Sequence, residues 1–155
     1  MKIIFVCTDN FTRSKTAEFC LKYYLSQNPQ LHLTSYSAGI NAYSDISKYS
    51  QAHIARMREL GIEVGQIKRT QFLSNFCNEF DLIIAMAKEH QDYFLKEYNK
   101  HIPLFNEVYK NENTSIVVSK PDSQDDVETQ LCNMVDYINE AIPTLVRNIT
   151  INIKT

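Results

Sequence analysis

The 155-residue sequence has no tryptophan, three glycines and four prolines. No Gly/Pro/Ser-rich stretch, internal repeat or low-complexity tract divides it, so one domain over residues 1–155 is expected. Long apolar runs are missing as well. The opening Ile3-Ile4-Phe5-Val6 is too short for a signal-peptide core or a membrane span, and no later stretch approaches 18 apolar residues. Basic clusters are missing too. The net charge is −2, which gives no electrostatic footprint for nucleic acid. No C-x-x-C pair occurs among Cys7, Cys20, Cys77 and Cys132, and no histidine stands at metal-ligand spacing. No metal site is expected, and the reading is of a reduced, cytoplasmic chain without a membrane partner.

What is present has an ordinary globular balance, 44% hydrophobic and 22% charged residues, which argues against disorder. Residues Pro121–Glu140 carry six acidic and no basic side chains; that pattern reads as a solvated helix face or as a docking surface for a basic partner. Element types alternate. Lys2–Cys7 is a continuous apolar run, the pattern of a strand buried on both faces. Arg13–Leu25 places Ala17, Leu21 and Tyr24 on one helical face. Leu31–Ala38 reads as a second strand closed by Gly39, and Ser47–Leu60 as a helix with Gly61 as its C-terminal cap. A helical turn is expected over Gln71–Cys77, a buried strand over Phe80–Met86 and a helix over Lys88–Tyr98. Ile102–Phe105 reads as an edge strand, because it contains Pro103, and Ile116–Val118 as a further extended piece. Val127, Leu131, Val135, Ile138, Ile142 and Leu145 recur at helical spacing, with Pro143 expected to kink or end the helix and 149–155 left as a loose tail or an added strand. Strand–helix alternation of this kind implies an α/β three-layer sandwich around a parallel sheet, whose ligands bind beyond the carboxyl ends of the strands. Cys7 stands at such an end.

The segment Cys7-Thr8-Asp9-Asn10-Phe11-Thr12-Arg13-Ser14 runs from strand into helix. Five residues between Cys7 and Arg13 suffice to curl the backbone so that its N–H groups face one concavity. With the helix N-terminus they form a site for a tetrahedral dianion. Arg13 can add a bidentate fork. The same field is expected to bring the Cys7 pKa to roughly 3.5–7.5, so that a thiolate stands ready for in-line attack. Ser14 can donate a hydrogen bond to the sulfur. A buried structural cysteine with a carbonyl-capping arginine is the bland alternative.

These residues resemble the opening of the low-molecular-weight protein tyrosine phosphatases, typically V-C-x-G-N-x-C-R-S-P-x-A-E, with matches at Val6, Cys7, Asn10, Arg13, Ser14, Ala17 and Glu18. Ser37-Ala38-Gly39, Leu60-Gly61-Ile62 and Phe80–Met86 continue the likeness in order. The resemblance implies a four-stranded parallel sheet flanked by helices and no cofactor. It also implies hydrolysis of phosphotyrosine or a small aryl phosphate through a cysteinyl-phosphate. By that likeness Cys7 is the nucleophile and Arg13 the phosphate clamp, within a phosphate-binding loop Thr8–Ser14 that phosphate or sulfate can occupy. Asn10, Ser14 and Ser37 would support the loop. Phe11 and Tyr43 fall where the family places cleft walls, though Phe11 could equally enter the core and Tyr43 be an ordinary loop aromatic.

Three departures stand out. Asp9 replaces the loop glycine. It is expected to face solvent, since an inward carboxylate would repel phosphate and raise the Cys7 pKa. Thr12 replaces a second loop cysteine. Lys120 takes the place of the family's acidic residue, leaving Asp122, then Asp125 or Asp126, or no residue, as general acid. A binding domain of low or no turnover is therefore the main alternative. A protein-arginine phosphatase is a closer rival than an arsenate reductase, which needs two further cysteines that the third strand and following helix lack. Relatives of the arginine-phosphatase kind carry a small polar residue at the position of Phe11. His53, His32, His90 and His101 read as core, surface or boundary residues without catalytic pairing.

Overall fold

Strand β1 (Lys2–Cys7) is buried from Ile3 onward. Because side chains alternate along a strand, Ile3, Phe5 and Cys7 enter one core while Ile4 and Val6 enter another. An apolar run thus makes the middle of a three-layer structure. β2 (Thr34–Gly39) and β3 (Leu82–Ala85) flank β1 in parallel, in the order β2-β1-β3. The structure is a computed structural model that describes residues 1–118 and 125–153.

On the Phe5 side lie α1 (Arg13–Gln27), α2 (Ala52–Glu59), α5 (Phe105–Lys110) and α6 (Val127–Ile153). On the Ile4 side, Phe72, Phe94, Ile102 and Leu104 form a second core, with α3 (Phe76–Glu79) and α4 (Lys88–Tyr98) contributing Phe76 and Phe94. Helices therefore cover both faces, as expected.

The expectation of four strands is corrected to three among the described residues. Where the edge strand was expected, a single bridge joins Leu104 to Ala85. Proline supplies no N–H for a ladder, so Pro103 only accepts, from the Ala85 N–H at 2.9 Å, and α5 begins at Phe105. Ile116–Val118 is likewise not a strand, although Ile116 N–H reaches the Met86 carbonyl at 2.9 Å. The helix expected from Ser47 starts at Ala52, because turns precede it. Asp45 accepts from Ser47 N–H at 2.8 Å, and the Ser50 hydroxyl accepts from Ala52 N–H at 3.2 Å. Gly61 ends α2 as expected, at φ 81°, with Ile62 N–H on the Met57 carbonyl.

Helix α6 runs unbroken to Ile153 with Pro143 inside it. Leu131, Val135, Ile138, Ile142, Leu145 and Ile149 form its buried stripe, whereas Pro143 is exposed. The Asn139 carbonyl, deprived of its helical partner by the proline, is thus on the solvent side of the helix.

Gly39 positions the site from behind. A Cβ there would stand 2.6 Å from the Thr8 carbonyl and 2.9 Å from the Asn10 nitrogen, so the end of β2 can press against the loop only without a side chain. Gly39→Ala is expected to destabilise the fold by about 1–3 kcal/mol in urea unfolding, and to impair the loop more than a substitution of the open Gly65 does.

Candidate active site

The loop after β1 is held by a directed chain of hydrogen bonds centred on Asn10. Asn10 has φ 55°, a left-handed conformation that asparagine tolerates better than most residues. Its Oδ1 accepts from Thr70 N–H at 2.7 Å. Its Nδ2 donates to Ser14 Oγ and to Ser37 Oγ, both at 2.9 Å. Ser37 in turn donates to the carboxylate of Glu18, which also takes Lys15 at 3.2 Å and Lys22. Burial alone would raise the pKa of Glu18; Lys15, Lys22 and Ser37 outweigh it and hold the carboxyl below its usual range. Since Asn10 fills one lone pair of Ser14, the Ser14 hydroxyl keeps its own hydrogen for Cys7 Sγ, 2.9 Å away, once that sulfur is a thiolate. The structure therefore brings Asn10, Ser14 and Ser37 together in one hydrogen-bonded group.

Thr12, at the entry to α1, makes no side-chain cap. Asp9, Thr12 and Arg13 line a cavity of about 650 Å³. Tyr49, Ala87, Val117, Val118, Val127 and Leu131 supply its apolar walls, and Lys48 and Glu89 add charge. Arg13 spends two of its five donors outside the cradle, on the Ile116 carbonyl at 3.1 Å and on Glu89 Oε1 at 3.2 Å. Three remain for an anion.

Several expectations are corrected. Asp9 does not face away: its Oδ1 accepts from Phe11 N–H at 3.1 Å and lies 3.7 Å from Cys7 Sγ. Cys7 is only 1% exposed, and its pKa is raised, not lowered. Burial pushes the thiol up, Asp9 adds to the rise, and the Ser14 hydrogen bond and Arg13 oppose it. Phe11 is buried in the core and packs edge-on against His53, with ring centroids 4.9 Å apart. An aromatic of that size at the foot of α1 finds more apolar surface inward than in the cleft, so Tyr49, not Phe11, lines the cavity. Tyr43 is 85% exposed and is not among the lining residues. Asp122 and Lys120 lie outside the described residues. Asp126 N-caps α6 by accepting from Thr129 N–H at 2.7 Å, and Asp125 is exposed. Among the described residues, no group of three or more His, Cys, Asp or Glu could hold a metal, and no helix is long and apolar enough to cross a membrane.

Two histidines escaped the sequence reading of the site. His90 is fully buried. Its Nδ1 accepts from Ala87 N–H at 3.1 Å, which leaves Nε2 as the protonated nitrogen, donating to Thr8 Oγ1 at 3.0 Å. Glu89 Oε1 is 3.5 Å from the same nitrogen. Burial, aided by Arg13, pushes the His90 pKa down to about 3. His90 lies just past the carboxyl end of β3, beside β1, so the strand-end rule that picked out Cys7 points to it too. His53, also buried, bonds the Phe11 carbonyl through Nε2 at 3.0 Å.

The match to a family model for low molecular weight phosphotyrosine protein phosphatases covers residues 2–154. The low molecular weight protein-tyrosine-phosphatases Wzb of Salmonella typhi and Salmonella typhimurium are 36% identical to this chain over 90 residues, 57% of this chain and 56% of each relative; the alignment thus spans little more than half their length. Among solved structures, the YwlE arginine phosphatase of Geobacillus stearothermophilus matches with a TM-score of 0.76 at 21% identity, covering 97% of this chain and 94% of that one. The Vibrio vulnificus Wzb, in complex with benzylphosphonate, matches with a TM-score of 0.70 at 24% identity, covering 94% and 97%. At such identities the structural likeness speaks for the fold alone.

Two outcomes are expected. Asp9→Asn removes a negative charge beside the sulfur, so the pH midpoint for Cys7 alkylation by iodoacetamide moves down; an unmoved midpoint contradicts the Asp9–Cys7 contact. For His90, the unfolded chain protonates near pH 6.5 and the folded chain only near 3. The stability that neutral His90 contributes is full above about 6.5 and is lost as pH falls towards about 3. Urea midpoints of the parent chain should therefore drop more steeply across that window than those of His90→Gln.

Proposed function

The chain belongs to the low molecular weight phosphotyrosine protein phosphatase family, and on that premise we propose that it is a cysteine-dependent phosphatase acting on aryl phosphate monoesters such as phosphotyrosine. The observation that carries the reading is the Asn10-locked loop, which holds Cys7 Sγ 2.9 Å from Ser14 Oγ at the start of α1. Beside it, Asp9, Thr12 and Arg13 line a cavity walled by apolar side chains.

In the proposed reaction the Cys7 thiolate attacks phosphorus in line with the ester oxygen. The P–O bond breaks, an S–P bond forms, and the leaving oxygen takes a proton from a general acid. Asp122 is the residue proposed for that role. Loop amides and the free donors of Arg13 balance the charge on the equatorial oxygens. Water, giving one proton back to the carboxylate that the general acid has become, then attacks the cysteinyl-phosphate; the S–P bond breaks and inorganic phosphate is released. The sulfur leaves as a thiolate that the Ser14 hydroxyl stabilises. Tyr49, with Val127 and Leu131, offers a wall for a flat aromatic ring. Four free cysteines fit a proposed cytoplasmic setting.

One observation favours the alternative of a phosphate-binding domain with little turnover: the inward Asp9 carboxylate, 3.7 Å from the sulfur. An arginine phosphatase is the less favoured rival.

Hydrolysis of p-nitrophenyl phosphate by the full chain decides between them. Turnover is expected in the parent chain and none in Cys7→Ser, while Arg13→Ala should cost about 10²–10³-fold in kcat. Asp122→Asn should slow phosphotyrosine hydrolysis by about 10²–10⁴-fold and the nitrophenyl ester less, because its leaving group needs less protonation. Phosphate binding without hydrolysis would sink the enzymatic reading, and preference for phosphoarginine over phosphotyrosine would overturn the substrate class.

A further inference from the structure

We propose that Asp9 acts as an internal anion in the cradle, so that this site accepts a tetrahedral oxyanion together with one proton. The inference rests on the phosphate-cradle reading and deepens it by fixing the charge state of the group that binds.

Two distances carry the argument. Asp9 Oδ1 holds the Phe11 N–H at 3.1 Å, and the same oxygen lies 3.7 Å from Cys7 Sγ. A phosphorus poised for attack stands about 3–3.5 Å from its nucleophile, with its oxygens just around it. The carboxylate oxygen thus falls in the shell that an incoming oxyanion must fill, on a loop amide that the oxyanion would use. Asp9 lines the cavity while Cys7 does not, so an anion entering from the cavity meets Asp9 on its way to the buried sulfur.

Retreat is restricted. Asp9 is followed directly by Asn10, whose side chain is fixed at both ends, and its carbonyl takes Arg69 Nη1 at 3.4 Å. The charged and titratable groups facing it are Cys7, Arg13, Arg69, His53, Lys48 and Glu89. Arg13 is shared with Glu89, and Arg69 is spent on the Asp9 and Ser44 carbonyls. Among the described residues no cation stands within 4.0 Å of the Asp9 carboxylate. Two anionic groups whose oxygens meet at hydrogen-bond distance do not both stay ionised. A proton from solvent therefore joins Asp9 as the oxyanion arrives. The resulting carboxylic acid donates a hydrogen bond to the ligand where a carboxylate would have repelled it.

Sulfate is the probe, because it stays a dianion throughout the working pH range. The full chain is used as Cys7→Ser, which removes the titration of the sulfur, and is compared with Cys7→Ser/Asp9→Gly and with the isosteric Cys7→Ser/Asp9→Asn. Other neighbours are common to all three and cancel. Titration calorimetry in two buffers of different ionisation enthalpy should show uptake of about one proton per sulfate by Cys7→Ser. Its affinity should fall about tenfold per pH unit relative to both Asp9 variants. Parallel affinity curves for the three proteins would mean that the carboxylate merely swings aside, and would overturn the inference while leaving the cradle reading intact. Failure of all three to bind sulfate would overturn both.

Discussion

Everything at the site depends on the amide of Asn10. One side chain occupies a left-handed backbone position and supplies both hydrogens and its oxygen to three different elements: Ser14 on α1, Ser37 on β2 and the segment at Thr70. Removing any one partner leaves a buried polar atom unpaired, which costs about 1–3 kcal/mol. The loop is therefore held by a fully satisfied network, not by packing alone, and the network has a direction. The Glu18 carboxylate can only accept, so Ser37 must donate to it, Asn10 must donate to Ser37 and Ser14, and the Ser14 hydrogen is released toward the sulfur. A buried glutamate one turn along the same face of α1 thus anchors the network whose asparagine orients the Ser14 hydroxyl.

The electrostatics run against what the loop's shape would deliver by itself. A helix N-terminus and an arginine favour a thiolate. Here burial removes solvent from the sulfur, Asp9 adds a negative neighbour, and Arg13 divides its charge with Glu89. The charged side chains around the sulfur are consequently close to balance. On the proposed reading, anion recognition leans on individual hydrogen-bond donors more than on a broad positive field. Those donors act at hydrogen-bond range and discriminate shape, whereas a field would draw any anion.

Much of this was legible in the residues. The apolar run before Cys7, the five-residue spacing to Arg13 and the helical stripe of the last element follow from periodicity, and periodicity is local. Asn10, Ser14 and Ser37 were legible through the family resemblance. Side-chain direction in a turn was not. Whether Asp9 points in or out depends on the Phe11 N–H, whose orientation follows from the left-handed Asn10 beside it, and no single-residue preference encodes that. Phe11 failed for another reason. Its place in the cleft came from family position, with the core as the open alternative, and the core beside His53 offered the closer fit. The missing fourth strand reflects Pro103, which was read correctly as an edge residue. That it shortens the ladder to one bridge follows from the start of α5 two residues later.

The two buried histidines show how the loop is braced without disturbing its charge. His90 donates to the Thr8 hydroxyl and His53 to the Phe11 carbonyl, each through Nε2. Both side chains are buried and both have lowered pKa values, chiefly because burial disfavours the charged form. Protonating His90 would break its bond from Ala87 N–H, and protonating His53 would place a donor at Nδ1, a buried atom with no partner among the described residues. Each imidazole is thereby held as a neutral, single-donor brace. A lysine or arginine at position 53 would instead set a fixed cation near the Asp9 carboxylate and hold it in an ion pair. Neutral braces leave Asp9 without a fixed counter-ion, and on the proposed reading a carboxylate free to take up a proton is what lets the loop carry an acid where the family pattern has glycine.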